Sequence, residues 1–358
     1  MREAVKVLLP DNLTKAHTKQ LLGLSDAECE GLRPDQFEAS LVRPIRALTD
    51  CGGPSWRSFC LLASCDAVGG DSRGYAGWIA MPELLHAASL VMAEGAKDKD
   101  TRNLSAGCMC YTLVQQLLDS VQLPSYANKA QICENFHVAV RAGHAGQGLA
   151  LAGVGALVDG VVADGDTSQL EAAVLCNYRL QTAVPAACFA KIGALAGEGE
   201  PKHVEALGEF FRLTCLGFQL ASDVSAIKAG AGSGKEGLGC VTMPVVKALS
   251  RIKGRPERAQ LYKQVMNGGG GGGKSLLENI EKNGGLQATM AQAISLVEEG
   301  WKKIASPAVL PDSYHALHTT GIVRLWELKS VRSELTTRID HKTRNFRDRS
   351  SPLSGALH

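Results

Sequence analysis

Three carboxylates carry the most chemical promise in this chain. Glu94 and Asp98, in the stretch EGAKDKDTR, stand at i and i+4, so a helix presents both from one face, and Asp100 and Arg102 follow at its end. Like charges at that spacing repel unless a cation sits between them, and a hard divalent cation such as Mg2+ takes oxygen ligands of this kind. The plainer reading is a solvated, charged helix end. Asp223, in CLGFQLASDVSAIKAG, follows Leu213, Leu216 and Leu220 at the edge of an apolar stripe. An acid in that position is either paired or bound to a metal. Carboxylates on two helices could hold magnesium between them while the metal also grips a substrate phosphate.

A second candidate is formal rather than physical. The stretch NGGGGGGKS satisfies the phosphate-loop pattern G-x-x-x-x-G-K-[ST] through Gly268, Gly273, Lys274 and Ser275. That loop works because a strand delivers it and a helix N-terminus completes the anion site. Here the preceding RPERAQLYKQVM is charged, has no β-branched run and reads as a helix. Six consecutive glycines match any glycine pattern, so the run is expected to be a flexible helix-to-helix connector.

The elements that must position these residues are helical. Apolar residues recur at helical spacing over 56–68, 83–94, 105–121, 131–157, 170–195, 202–229, 241–250, 256–266, 275–302 and 312–336. Strand candidates are few and short, and Gly-rich polar stretches separate the helices. The expected fold class is all-α, a single helical domain over 1–337, with a mobile polar tail over 338–358. The 358 residues are 45% hydrophobic, enough for a sizeable core, and the formal charge of +2 gives no reason to expect a nucleic-acid or membrane-surface partner. No apolar run reaches the roughly 18 residues of a membrane span. The eleven cysteines form no C-x-x-C pair, which argues against a zinc site or disulfide framework and for a reducing, cytoplasmic setting. Small residues crowd three helix centres, LHAASLVMAEGA, GHAGQGLALAGVGAL and TAVPAACFAKIGALAG. They permit close helix packing, or they leave room for an apolar ligand inside a bundle.

CGGPSWRSF, ELLHAASLVMAEGAKDKDTRN, GHAGQGLAL, YRLQTAVPAACFAKIGALAG, GFQLASDV and GLGCVTMPVVKAL follow one another as in the trans-isoprenyl diphosphate synthases, which the chain resembles over about residues 40–250. The resemblance implies that family's all-α bundle with a central cavity, a homodimer, and Mg2+ as cofactor. Its departures fall on the chemistry. The first aspartate motif, D-D-x-x-D, reads AEGAK at 93–97, and a one-residue shift recovers Glu94 and Asp98. In the second motif Phe218, Gln219 and Asp223 remain, while Ser222 and Ala226 replace the other two acids. Pro54 replaces a lysine although Arg57 persists, Asn103 replaces an arginine beside Arg102, Gln181-Thr182 replaces lysine-threonine, and Gly239-Cys240 replaces glycine-lysine.

In the family, the lost cations hold diphosphates of the homoallylic and allylic substrates. Each charge-assisted contact is worth on the order of 1.5–3 kcal/mol, so losing two weakens co-substrate binding about a hundredfold or more. Chain elongation is therefore disfavoured. The pattern is similar to fungal sesquiterpene cyclases of the humulene synthase type, class I enzymes that ionise farnesyl diphosphate with Mg2+. On that resemblance Glu94, Asp98 and Asp223 are the expected metal ligands, with Ser222 as a further donor. Arg57, Arg102, Gln147, Gln181, Phe218, Gln219 and Lys228 are the expected substrate contacts. Arg179, 44 positions before Asp223, is the expected diphosphate sensor, or else a surface charge beside Tyr178. The alternatives are a prenyl diphosphate synthase with degenerate motifs and a non-catalytic regulatory subunit of one. For cation stabilisation the aromatic candidates are Phe136, Phe189, Phe211, Phe218, Tyr314 and Trp326, each of which is also plausible core, and His86 and His144 sit among small residues.

Overall fold

The computed structural model describes residues 2–51, 56–119, 125–233, 240–267 and 273–304, together with residue 317. Among them there is no strand, and the expected all-α class is the one observed. The first half runs α1 (Arg2–Leu8), α2 (Lys15–Leu22), α3 (Pro34–Phe37), α4 (Arg43–Thr49), α5 (Trp56–Ala67), α6 (Ala80–Asp98), α7 (Thr101–Asp119) and α8 (Tyr126–Ala152). The second half runs α9 (Gly155–Asp164), α10 (Ser168–Tyr178), α11 (Val184–Ala196), α12 (Pro201–Ser233), α13 (Met243–Leu249), α14 (Arg255–Asn267), α15 (Gly273–Lys282) and α16 (Gly285–Ile304). The segment 312–336, with Tyr314 and Trp326, and the tail 338–358 lie outside the described residues apart from Leu317.

Two of the long periodic stretches are each two helices. The pattern over 131–157 is interrupted at Gly153 (φ 71°), between α8 and α9, and that over 275–302 at Gly284 (φ 68°), between α15 and α16. Both glycines take the left-handed conformation that a side chain disfavours, so hydrophobic spacing continues across a break in the backbone. The stretch 170–195 shows a different device. α10 and α11 are joined through a π-helical turn, Arg179–Ala183, in which the Val184 N–H reaches back to the Arg179 carbonyl. Pro185 follows at once and has no N–H to offer, so the widened turn absorbs the missing bond without ending the helix.

The chain clusters into two compact units, described separately. Of the described residues, those within 1–152, 177–215 and 300–318 form unit 1, and those within 153–176 and 216–299 form unit 2. In unit 1, α6 packs on α7, and α11 packs on α5 and α8. Small residues serve these contacts directly. A Cβ at Gly193 of α11 would run into the Leu61 carbonyl of α5, and one at Gly107 of α7 would come within 2.9 Å of the Ala88 carbonyl of α6. At these positions the close-packing reading holds, because the neighbouring helix takes up the space. Trp78 seals one end of this core, fully buried, its indole N–H donating to the Leu117 carbonyl at 2.8 Å. Phe136, Phe189 and Phe211 are buried in the same core, each contributing on the order of 1.5–3 kcal/mol by burial.

In unit 2, α14 packs on α9 and α15, and α13 packs on α15. α14 and α15 flank the glycine run with helix on both sides, as a connector requires; residues 268–272 themselves lie outside the described residues. A ladder of amides ties the two helices: Ser275 Oγ accepts from Gln264 Nε2 at 3.1 Å, Gln264 Oε1 accepts from Asn279 Nδ2 at 2.9 Å, and Asn279 Oδ1 accepts from Asn283 Nδ2 at 2.9 Å.

Candidate functional site

The polar residues of α5 and α6 form the most chemically distinctive group in unit 1. Arg57 opens α5 one position after the helix start and is half-buried. Its guanidinium carbon lies 4.4 Å from the ring centroid of Trp56. Among the described residues no carboxylate lies within ion-pair distance of it. Burial therefore lowers its pKa from the ordinary arginine value, with the Glu83 carboxylate and the nearby Cys215 and Cys60 thiols opposing that drop. Ser58, buried beside it, donates to the Ile79 carbonyl at 2.7 Å and lies 3.2 Å from Glu83 Oε1, fixing Glu83 between the two helices. His86, one turn further along α6, is half-buried, and burial followed by the Arg57 charge pushes its pKa down to about 4. The ring is neutral at pH 7. A cation with no ion-pair partner among the described residues, a neutral imidazole and one restrained carboxylate form a setting that favours an incoming anion.

The same unit joins two of the expected substrate contacts to this helix layer. Gln147 Nε2 on α8 donates to the Ser89 carbonyl of α6 at 2.9 Å, and Gln181 Nε2 in the π turn donates to the Gly146 carbonyl at 2.8 Å. Arg179 heads that π turn and is exposed. Tyr111 of α7 packs against His144 with ring centroids 4.3 Å apart and planes tilted by 45°, and burial raises its phenol pKa well above the ordinary value.

The acids sit differently. Glu94 and Asp98 are both exposed, Asp98 at the last position of α6. At 100° per residue, the face that carries His86 continues through Leu90 and Ala93; Glu94 and Asp98 lie about 80° and 120° round the helix from it. The one-residue shift that recovers the acids in sequence thus rotates them off that face. Asp100 accepts from the Arg102 backbone N–H at 2.9 Å, starting α7, and pairs with the Arg102 guanidinium at 3.2 Å. That holds the Asp100 carboxyl below the usual range and occupies an exposed Arg102.

In unit 2, Asp223 is buried, 7% exposed, on α12. It accepts from Gln219 Nε2 at 3.2 Å and from the Met243 N–H at 3.3 Å, where α13 begins. Burial and then Asp223 raise the pKa of the neighbouring Cys240. Ser222 is exposed, Phe218 and Lys228 half-buried. Among the described residues no group of three or more His, Cys, Asp and Glu side chains converges to hold a metal ion. The described donor set within either unit therefore does not fit a magnesium cluster held by several carboxylates.

In sequence Arg57 stands among the expected substrate contacts, and His86 is a histidine among small residues that reads as a satisfied core side chain before a cavity wall. The assembly of Arg57, Glu83 and His86 was missed, because its members come from two helices and no local pattern joins them. The signal available was a charged or ionisable residue on an otherwise apolar face of each helix.

The fold is that of the isoprenyl diphosphate synthases. It matches geranylgeranyl pyrophosphate synthase from Corynebacterium glutamicum, in complex with isoprenyl diphosphate and magnesium, with a TM-score of 0.67 at 16% identity, over 90% of this chain and 98% of that one. In sequence the chain is 26% identical over 259 residues to a short chain isoprenyl diphosphate synthase of Methanothermobacter thermautotrophicus, covering 68% of this chain and 76% of the relative. It is also 26% identical over 318 residues to a geranylgeranyl diphosphate synthase of Methanosarcina mazei, covering 78% and 87%. No protein-family model matches. The relatives and the shared fold support the trans-isoprenyl diphosphate synthase family. All three of these proteins are diphosphate synthases, and none supports the narrower likeness to humulene-type cyclases.

Proposed function

We propose that this chain is a prenyl diphosphate synthase-type protein with reduced motifs, whose ligand is an isoprenyl diphosphate held in unit 1 at Arg57 and His86. The observation that carries this reading is the half-buried Arg57 guanidinium, with no carboxylate at ion-pair distance among the described residues and a neutral imidazole on the adjoining helix. A half-buried cation with no close counter-ion among the described residues is costly, and a diphosphate would offset that cost through bidentate, charge-assisted hydrogen bonds. His86 would donate or accept one further hydrogen bond without bringing a charge of its own.

The ligand class follows from the named relatives, which are isoprenyl diphosphate synthases, and nothing in them supports cyclisation of farnesyl diphosphate with release of a hydrocarbon. Magnesium is the metal in the Corynebacterium complex. Calorimetric titration of the purified protein with isopentenyl and farnesyl diphosphates, beside the Arg57→Gln variant, tests the reading. Saturable binding weakened by about 10-fold or more in the variant supports it, on the value of one charge-assisted contact. Absence of binding to either diphosphate, or a cyclic hydrocarbon from farnesyl diphosphate alone, would overturn it.

A further inference from the structure

We infer that this chain binds an allylic diphosphate without a divalent metal, by direct contact with protein cations, and on its own does not draw the diphosphate away from the allylic carbon. The inference rests on the isoprenyl diphosphate reading above and concerns how that ligand is held.

Among the described residues, the acids of the two expected motifs and of the Arg57 neighbourhood are each committed or turned away in a specific manner. Asp223 spends its oxygens inside unit 2 on Gln219 and on the Met243 N–H at the start of α13. Asp100 spends its own on the Arg102 N–H and guanidinium at the start of α7. Glu83 is held against Ser58 and faces the Arg57 charge. Glu94 and Asp98 are exposed and turned by about 80° and 120° from the helix face that carries His86. That face carries Leu90 and Ala93 by helical register. Where a metal-dependent site needs two carboxylates one turn apart on one face, the described side chains of this face are those of His86, Leu90 and Ala93.

The physical consequence is a different way of neutralising the ligand. Magnesium accepts phosphate oxygens only when protein oxygens or water complete a near-octahedral shell, and it gives up water reluctantly. A surface with one restrained carboxylate cannot fix several such ions. Guanidinium and amine groups carry positive charge without a bridging ion, so they bind a diphosphate directly. They do not reproduce the Lewis-acid pull of a metal on the departing diphosphate oxygens, which is worth several kcal/mol of transition-state stabilisation. A site built this way holds its ligand and leaves the carbon–oxygen bond intact.

The test is a titration of the full chain with farnesyl S-thiolodiphosphate, an unreactive allylic analogue, once with excess EDTA and once with millimolar magnesium. The inference expects dissociation constants within about threefold of each other, weakened about 10- to 100-fold in both conditions by Arg57→Gln and less by Arg57→Lys, as expected for lost charge-assisted contacts. The Glu94→Gln/Asp98→Asn double variant should bind like the parent in both. Thermal melts of each variant separate a lost contact from a lost fold. Binding tightened tenfold or more by magnesium, and losing that gain in the double variant, would overturn the inference while leaving the ligand reading intact. No binding in either condition would remove the ligand reading itself.

Discussion

Two guanidiniums, one in each unit, show how the same side chain is used to opposite ends. Arg258 of α14 is 5% exposed in unit 2 and donates to four backbone carbonyls: Val162 and Ala163 near the end of α9 at 3.1 Å, and Ile252 and Lys253 just beyond α13 at 3.0 and 2.9 Å. It needs no carboxylate, because the last carbonyls of a helix have no intrahelical partner and carry the negative end of its dipole. Arg57 in unit 1 is also withdrawn from water, yet burial depresses its pKa and Glu83 only offsets part of that effect. The first arginine has its hydrogen-bonding capacity consumed by the fold. Among the described residues no carboxylate pairs with the second, and under the proposed function that difference separates a structural cation from a binding one.

The comparison breaks most sharply at Arg258. Arg258→Ala should orphan several carbonyls together and destabilise the protein on the order of 3–5 kcal/mol, read as a lower denaturation midpoint. Arg57→Ala should do the reverse: diphosphate affinity falls by about 10- to 100-fold, on the order of 1.5–3 kcal/mol, with little change in the melting temperature. If Arg57→Ala proves the more destabilising of the two in a denaturant titration, the assignment of roles is wrong.

Neither role was legible from composition. Arg258 sits in RPERAQLYKQ, where it reads as one charge among several on a solvated helix. Its burial follows from the way α9, α13 and α14 meet, which no local pattern encodes. The helices themselves were legible because apolar spacing is a local property: α5 (Trp56–Ala67) was expected over 56–68 and α12 (Pro201–Ser233) over 202–229. What spacing could not show was the breaks at Gly153 and Gly284, since a single left-handed residue leaves the apolar period almost unaltered. For the acids, motif matching recovered residue types at the right separation, but a shift of one residue costs about 100° of helix rotation. Glu94 and Asp98 therefore satisfied the spacing without sharing a face with His86.

Asp223 sharpens the contrast between structural and functional charge. As the acceptor for the Met243 N–H and Gln219, it should cost on the order of 1–3 kcal/mol of stability when replaced in Asp223→Ala, because a buried donor loses its partner. Diphosphate affinity of the folded protein should hold. Loss of magnesium-dependent affinity at unchanged stability would restore Asp223 as a metal ligand.

His86 gives a smaller effect with a definite sign. Its pKa is near 6.5 unfolded and about 4 folded, so between those values the unfolded chain binds the extra proton and stability rises with pH. The contribution is lost as pH falls through that window and is constant below it. Partial exposure discounts it to on the order of 1–2 kcal/mol. His86→Gln should flatten the pH dependence of the unfolding midpoint between about 4 and 6.5; an unaltered slope would mean that the ring is charged or solvated in the folded protein.

The smallest effect is expected at the glycine run, where unit 2 has a connector and a phosphate loop would have a site. α14 ends at Asn267 and α15 begins at Gly273, and the amide ladder through Gln264, Ser275, Asn279 and Asn283 fixes the two helices against each other without help from the residues between. Loop-closure entropy grows only with the logarithm of length, so deleting two of the glycines 268–272 changes stability by about 0.5 kcal/mol. Connections of two to five residues suffice for antiparallel helices, so the shortened link can still span. A nucleotide site, by contrast, would depend on every backbone N–H of the run and on Lys274. The shortened chain, and separately Lys274→Ala, should melt and bind farnesyl diphosphate as the parent does. A collapse of ligand binding with the melting temperature intact would mean that the run is a phosphate loop after all, and that unit 2 holds an anion site of its own.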